Sequence, residues 1–171
     1  DIAVSLLPVP TVKIGGVRFA NLEGATAPDM VRIGVVEASV ALMPLFSGTI
    51  KVDSLAFTEP VVELEILADG RANWQLAMVG TDSGSGRPAL SIDSLTVQGA
   101  TLVYRDGVAG TMERLENLNL EAAVDSISGP FRAKGSMIAR SIPLTFEARI
   151  GGLDRRPVPI RVDLTLSHGD T

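Results

Sequence analysis

The chain has 171 residues and a formal net charge of −5, which suits one domain or two small modules that share a core. A general nucleic-acid binder normally presents a basic face, so the acidic balance disfavours that class, and the absence of cysteine excludes disulfides and cysteine nucleophiles. Hydrophobic residues reach 46% but aromatic residues only 4%, with 17 glycines and 10 prolines. This mixture favours strands separated by turns.

The first clear strand pattern covers residues 30–42, where apolar and polar residues alternate. The phase of the alternation slips at Val36-Glu37, which predicts a β-bulge there. Residues 43–48, with the sequence MPLFSG, break the pattern and predict a single helical turn or a tight loop that stops at Gly48.

A second strand is predicted from Thr49, with Ile50 and Val52 on one face. Another slip at Asp53-Ser54 precedes Leu55 and Phe57. Pro60 then interrupts the pattern, as expected at a strand end or a sheet edge.

The next alternation runs over residues 61–66 and ends before a turn at Asp69-Gly70. Val62, Leu64 and Ile66 form its apolar side. The alternation places Glu63 and Glu65 on the opposite side, where we expect both carboxylates to face water.

An internal repeat follows. The sequence VDSLAF at 52–57 matches IDSLTV at 92–97, forty residues later, and this spacing sets Leu64 opposite Tyr104. It predicts one supersecondary unit stacked beside itself in a continuing sheet. Residues 80–89 are rich in glycine and serine and predict a flexible linker between an N-terminal module at 1–79 and a second module at 90–171.

The second module contains further alternating segments at 118–124, 131–137, 144–150 and 160–166, with turns predicted at 128–130 and 154–157. Residues 112–118 fit either a strand or a short helix. The prediction is therefore a mainly β fold with few short helical turns. Its curved antiparallel sheet, or sheets, of repeated strand units would form an apolar groove or a sandwich, because no long amphipathic helix is available as a cover.

Residue types that carry chemistry are scarce. His168 is the only histidine and lies near the end of the sequence without a catalytic context, so an exposed tail residue is the better interpretation. Gly15-Gly16 lacks the rest of a phosphate-binding loop and reads as a turn. Asn117 and Asn119 are interpreted as polar strand positions that face water. We expect no enzyme activity, no cofactor and no metal site.

Trp74, the only tryptophan, has two interpretations. It is a hydrophobic plug at the end of the first module, or it contacts a membrane interface or a lipid. The apolar strand face as a whole is the positive feature of the sequence, with an ordinary closed core as its alternative. An acyl chain in an open groove would gain about 0.8 kcal/mol for each buried methylene. The groove candidates are Ile50, Val52, Leu55, Phe57, Val62, Leu64, Ile66, Ile92, Leu95, Val97, Leu102 and Tyr104.

Several short motifs occur in a fixed order. In the first module these are VRFAN at 17–21, PDMVRI at 28–33, LMPLFSG at 42–48 and DGRANW at 69–74. In the second they are SL at 94–95, LVYRD at 102–106, LENLNL at 115–120 and SGPF at 128–131. Together they resemble the N-terminal region of the AsmA family, envelope proteins of Gram-negative bacteria.

The resemblance implies a periplasmic protein held in the inner membrane by an N-terminal helix. It is similar to TamB-like and bridge-like lipid transfer proteins, whose repeated β-units form an apolar groove for phospholipid transport in outer-membrane biogenesis. The implied partners are phospholipid acyl chains, the inner membrane through an upstream anchor, and other envelope proteins. The chain starts at Asp1, so we expect a piece of a longer protein whose anchor lies upstream. An assembly module that binds an envelope protein through its sheet edges is the alternative.

Overall fold

The strands account for almost all the described structure. The computed structural model describes residues 2–5, 10–41, 50–75, 90–124, 130–151 and 159–167. The strands are β1 (Ile2–Ser5), β2 (Thr11–Ala20), β3 (Asp29–Val40), β4 (Ile50–Thr58), β5 (Val61–Ile66), β6 (Leu90–Asp106), β7 (Thr111–Val124), β8 (Phe131–Ala139), β9 (Ile142–Ile150) and β10 (Ile160–Leu166). All ten belong to one sheet, which confirms the mainly β prediction.

The order of strands across the sheet is β1-β2-β3-β4-β6-β7-β8-β9-β10, and β5 continues the line of β4 between β3 and β6. Most neighbours are antiparallel, as predicted. At the centre, however, β4 and β5 both pair with β6 in the parallel sense. Parallel neighbours need a long connection, and more than twenty residues separate the end of β5 from the start of β6.

The parallel register is the sequence repeat itself. Val52 pairs with Ile92 in the β4–β6 ladder, and Leu64 pairs with Tyr104 in the β5–β6 ladder, so each residue meets the one forty positions later. This pairing confirms the repeat as one unit placed beside itself. Strands from both sides of the predicted linker thus share one sheet, while residues 80–89 lie outside the described residues and the module boundaries stay predictions.

The predicted bulge positions are half correct. The pairing of β3 with β2 and with β4 runs through Val36 and Glu37 without a shift, so the bulge predicted there is wrong. The shift lies between Ser39 and Val40, opposite Ser54 and Val52, which leaves Asp53 as the extra residue of β4. The phase slip at Asp53-Ser54 therefore corresponds to a bulge, because β3 leaves Asp53 unpaired. The slip at Val36-Glu37 does not, because both residues have partners on β2 and β4.

A line of backbone irregularities crosses the sheet. Positive φ angles occur at Gly16 (69°), Glu59 (50°), Gly99 (64°) and Asn117 (47°), on four different strand lines. Adding a Cβ at Gly99 would place it 3.7 Å from Cγ of Glu59, which shows that the two irregular sites adjoin. We call these four residues the seam. The seam divides the sheet into two parts. The β4 block is the part that contains β4 (Ile50–Thr58) and the residues paired alongside it, and the β5 block is the part that contains β5 (Val61–Ile66) and the residues paired alongside it.

The turns settle one ambiguity and leave several predictions untested. Residues 112–118 belong to strand β7 and not to a helix, because they pair with β6. The Asp106 side chain caps the turn between these strands by accepting from the N–H groups of Val108 and Ala109. The β8–β9 hairpin turns at Arg140 and Ser141, both with positive φ. The predicted features at 43–48, 128–129 and 154–157, and His168, lie outside the described residues.

The buried core is small and lies near the β5 block. The buried apolar side chains of the described residues are Ile33, Leu67, Ala72, Ala100 and Val103. Within the part of the chain that the structure describes, no helix is long and apolar enough to cross a membrane.

Candidate functional site

The groove candidates come together in pairs across the central parallel ladders. Eleven of them are half-buried, and the side chain of Ile50 lies outside the described residues. The register joins first-module candidates to second-module candidates, and directly opposite residues share a face of the sheet. The pairs are Val52 with Ile92, Leu55 with Leu95, Phe57 with Val97, Val62 with Leu102, and Leu64 with Tyr104. Ile66 pairs with Asp106 instead.

In the β4 block these pairs extend into two rows of apolar residues that cross nine strands, β1 to β10 without β5. The first row is Ile2, Ile14, Val36, Phe57, Val97, Leu120, Gly135, Phe146 and Leu164. The second row is Val4, Val12, Ala38, Leu55, Leu95, Ala122, Ala133, Ala148 and Val162. We call these two rows the apolar face.

The intervening positions of the same strands form a polar face. The row between the two apolar rows is Ala3, Lys13, Glu37, Ala56, Thr96, Glu121, Lys134, Glu147 and Asp163. Ion pairs tie neighbouring strands there, with Lys13 Nζ 3.6 Å from Glu37 Oε2 and Lys134 Nζ 3.3 Å from Glu121 Oε2. The β4 block is thus a two-faced sheet.

Among the described residues, the apolar face is open. Central members such as Phe57 and Val97 are half-buried, whereas Ile2 at one end and Leu164 at the other are 72% and 57% exposed. In the described part of the chain, the strands form a single layer without a helix or second sheet above either row. Apolar surface of this extent is unusual on a soluble chain and indicates a binding surface.

The β5 block carries its own apolar row: Phe19, Val31, Val62, Leu102, Leu115, Ala139 and Ile142. Next to it, the ring of Trp74 lies 6.3 Å from that of Tyr104, at an interplanar angle of 38°. This tilted pair lies within the range in which aromatic rings attract each other, so Trp74 packs the loop after β5 against the sheet. The remaining exposed part of Trp74 leaves the lipid-contact interpretation untested.

The prediction that Glu63 and Glu65 face water is wrong. They are only 9% and 7% exposed. Glu63 Oε2 accepts from Arg105 Nη1 at 2.8 Å, and the Glu65 carboxylate accepts from the backbone N–H of Thr26 at 2.9 Å and from its hydroxyl at 2.8 Å. The alternation correctly predicted the side of β5 on which Glu63 and Glu65 lie. That side does not face water, because the 21–28 loop, from a distant part of the sequence, covers it.

Asn73 is the best-anchored polar residue of the site and is 0% exposed. Its Oδ1 accepts from the Glu65 N–H at 3.0 Å, and its Nδ2 donates to the Glu63 carbonyl at 2.7 Å. Its own N–H donates to the Glu65 carbonyl at 2.9 Å. The side-chain amide therefore takes the place of a neighbouring strand's peptide group along the free edge of β5.

Sequence reasoning missed this role of Asn73. The DGRANW motif at 69–74 is one of the motifs that resemble the family. The hydrogen-bonding role of the Asn73 amide, however, depends on the fact that β3 stops pairing with β5 after Val62. The sequence offers one indication of this role. Asn73 follows the predicted turn at Asp69-Gly70, which brings it back beside the strand at 61–66.

Asn119 also departs from its prediction. Asn117 is exposed, but the half-buried Asn119 accepts from the Gly99 N–H through its Oδ1 at 3.0 Å. This bond satisfies a backbone donor that the seam removes from the regular ladder. Asn119 is thus a structural residue of the seam and not a water-facing strand position.

Among the described residues, the shifted pKa values belong to ion pairs at the surface. The pKa of Lys51 is raised because its ammonium bonds to Asp93, 2.8 Å away. Arg71 lowers the pKa of Asp69, and Arg140 lowers that of Glu113, through hydrogen bonds in both cases. Among the described residues, no group of three or more histidine or acidic side chains is placed to hold a metal ion.

The described residues form a single-layered, mostly antiparallel sheet with one apolar and one polar face, which places the chain among single-layer β-sheet proteins. The family model of the AsmA family matches residues 1–147, which is most of the chain, and the chain therefore belongs to the AsmA family. Membership indicates a role connected with the bacterial envelope and its lipids. No curated protein matches the sequence.

Proposed function

We propose that this chain is a non-enzymatic periplasmic module whose apolar face binds phospholipid acyl chains during lipid transport for outer-membrane biogenesis. In this proposal a segment outside the given sequence anchors the protein in the inner membrane. The single observation that carries the proposal is the continuity of the two apolar rows from β1 to β10.

The dimensions of the apolar face support this role. Neighbouring strands lie about 4.8 Å apart, so a row of nine strands extends about 38 Å along the sheet. Its side chains are valine, leucine, isoleucine, alanine and phenylalanine, apart from Gly135. A surface of this chemistry offers dispersion contacts and no hydrogen bonds, so it suits a hydrocarbon chain without selecting a single position for it.

The energetics suit transport as well as binding. Each methylene removed from water gains about 0.8 kcal/mol, so a long acyl chain can bind without any polar contact. Because neighbouring positions along a row are chemically alike, the chain can shift from one strand to the next at small cost. Reactive groups are not required for this function.

Native mass spectrometry of the purified chain, with organic extraction of bound lipid, tests the proposal. Val97→Asp and Leu55→Asp place a charge in the centre of the apolar face and should each lower the amount of bound phospholipid. Thr96→Asp is the matched control for Val97→Asp, because it adds the same charge to the same strand, β6, on the polar face. Circular dichroism checks that each variant stays folded.

Two results would contradict the proposal. One is a folded wild-type chain that carries no lipid and takes up no fluorescent phospholipid. The other is an equal loss of lipid in Thr96→Asp and Val97→Asp, which would mean that the charge acts on folding and not on the face.

A second candidate is an assembly module that binds another envelope protein through a sheet edge. It is supported by β10, whose seven residues are all exposed and which pairs only with β9 among the described strands. An edge strand with unpaired backbone groups accepts a further strand. Hydrogen–deuterium exchange would favour this function if an envelope extract slowed exchange of the β10 amides and the purified chain carried no lipid.

A further inference from the structure

The polar face contains a row of arginines that the lipid-binding proposal does not use. Arg132 on β8 lies directly opposite Arg149 on β9, and Arg149 lies directly opposite Arg161 on β10. Directly opposite residues have Cβ atoms about 5 Å apart on one face of the sheet. All three side chains are exposed. We call these three residues the arginine row.

Like charges directly opposite each other destabilise a sheet, and the arginine row places two such contacts in succession across three strands. Other charges of the polar face pair across strands, as in the Lys13–Glu37 and Lys134–Glu121 pairs, although Glu147 and Asp163 also lie directly opposite each other without an ion pair to any described residue. None of the three arginines has an ion pair or hydrogen bond with a described residue. The nearest row on the same face contains Glu147 and Asp163, and neither comes within ion-pair distance of them.

The position of the row within the sheet is also distinctive. The same register line holds Thr11, Ser39, Ser54, Ser94 and Ala123 on β2 to β7, and becomes basic only at β8. Arg132 and Arg149 line an open cleft of about 480 Å³ together with Lys134, Glu121 and Glu147, and Lys134 pairs with Glu121. The three arginines, which have no ion pair with a described residue, therefore lie at one end of three adjacent strands, beside a row that contains Glu147 and Asp163.

Guanidinium groups without acidic partners bind phosphate oxygens well, since they are planar, weakly hydrated and permanently charged. Apolar residues occupy the other face of the same strands, including Phe131 opposite Ile150 and Ile150 opposite Ile160. This end of the sheet thus combines phosphate-binding groups on one side with hydrocarbon-like surface on the other, which matches the boundary between headgroups and acyl chains.

We infer that the arginine row docks this end of β8–β10 on the phosphate headgroups of an anionic bilayer. The inference goes beyond the proposed acyl-chain function and does not require it. The net charge of −5 does not oppose docking, because salt screens charges beyond a Debye length of about 10 Å and the row acts locally.

Vesicle flotation of the full chain tests the inference, with phosphatidylcholine vesicles compared with vesicles that also contain phosphatidylglycerol. The wild type should bind only the anionic vesicles, and added salt should release it. Arg149→Gln should weaken binding about fivefold, which is the contribution of one arginine near an anionic surface. Replacing all three arginines with glutamine should abolish binding.

Arg32→Gln is the matched control. It removes the same charge from another exposed strand position, on β3, that is outside the arginine row but also directly opposite an arginine, Arg18. It should bind anionic vesicles as the wild type does. The arginine variants should unfold at the same or higher urea concentration, because repulsion within the row is relieved.

Four results would overturn the inference: no binding of the wild type to anionic vesicles, equal binding to both vesicle types, unchanged binding of the triple variant, or an equal loss in Arg32→Gln. Arg149→Lys separates a bilayer surface from a discrete phosphate site. Retained binding supports the bilayer, since lysine keeps the charge, whereas a loss as large as in Arg149→Gln indicates a site that needs the guanidinium fork and contradicts docking.

Discussion

Asn73 Nδ2 donates a hydrogen bond of 2.9 Å to Asn21 Oδ1, across 52 residues of sequence. Asn21 in turn donates through its Nδ2 to the Ala27 carbonyl at 2.9 Å, and its Oδ1 also accepts from the Leu22 N–H at 2.8 Å. Two motifs of the first module, VRFAN at 17–21 and DGRANW at 69–74, are therefore one structural unit. It closes the free edge of β5 and fixes the loop that covers Glu65.

Asn73→Ala should lower the free energy of unfolding by about 3 kcal/mol, because it leaves the Glu65 N–H and the Glu63 carbonyl buried without partners. Urea denaturation followed by Trp74 fluorescence measures the change. Gln75→Ala is the control, since Gln75 is exposed and lies in the same loop. Equal stability of Asn73→Ala and wild type would show that the edge of β5 is satisfied in another way.

Gly135→Ala should destabilise the sheet by about 2 kcal/mol, the usual cost of overpacking. A Cβ at this position would lie 2.8 Å from Cζ of Phe146, the residue directly opposite on β9, and would also collide with the Asn119 carbonyl oxygen. Thermal unfolding by circular dichroism measures the effect. Ser136→Ala, one residue further along β8, should be nearly neutral, and a neutral Gly135→Ala would mean that both the Asn119 carbonyl and the Phe146 ring shift at little cost.

Arg140→Gln should raise the pKa of Glu113 towards its usual value of 4.5. The hydrogen bond from Arg140 lowers this pKa first, and the guanidinium charge lowers it further. A carboxyl with a lowered pKa stabilises the fold above its ordinary pKa, and this contribution disappears as the pH falls through the folded-state pKa. NMR titration of the carboxyl carbon measures it. Arg114→Gln, which removes the partner of Glu116 instead, should leave the Glu113 titration unchanged.

Phospholipid with brominated acyl chains should quench the fluorescence of Trp74, if lipid occupies the apolar row beside Tyr104. The ring pair places Trp74 next to the Leu64–Tyr104 pair, and bromine quenches only at short range. Leu64→Asp should reduce the quenching, while Thr96→Asp on the polar face should not. Quenching that is absent in a wild type with bound lipid would restrict the acyl chain to the β4 block.

Much of the local structure could be predicted from the sequence. Alternation over residues 61–66 identified β5, and the slip at Asp53-Ser54 identified the residue that β3 leaves unpaired. These features are local because each depends on the two-residue period of one strand. The motif order in the first 147 residues also sufficed to indicate the AsmA family.

The forty-residue repeat also contained long-range information. Its two copies pair in parallel, so the offset that relates Leu55 to Leu95 in sequence is the register that joins them in the sheet. The repeat could not show the direction of pairing, however, because an antiparallel arrangement is equally compatible with two similar strands. The sense of pairing depends on the connection between them.

By itself, the sequence determined the strands, their apolar sides and the family, because these depend on residues close to one another along the chain. Only the tertiary structure decided that Glu63 and Glu65 are buried, that Asn73 replaces a strand partner, and that Arg132, Arg149 and Arg161 form one row. Each of these outcomes depends on strand register and on loops from distant segments. Register is set by pairing across the whole sheet, and no single strand contains it.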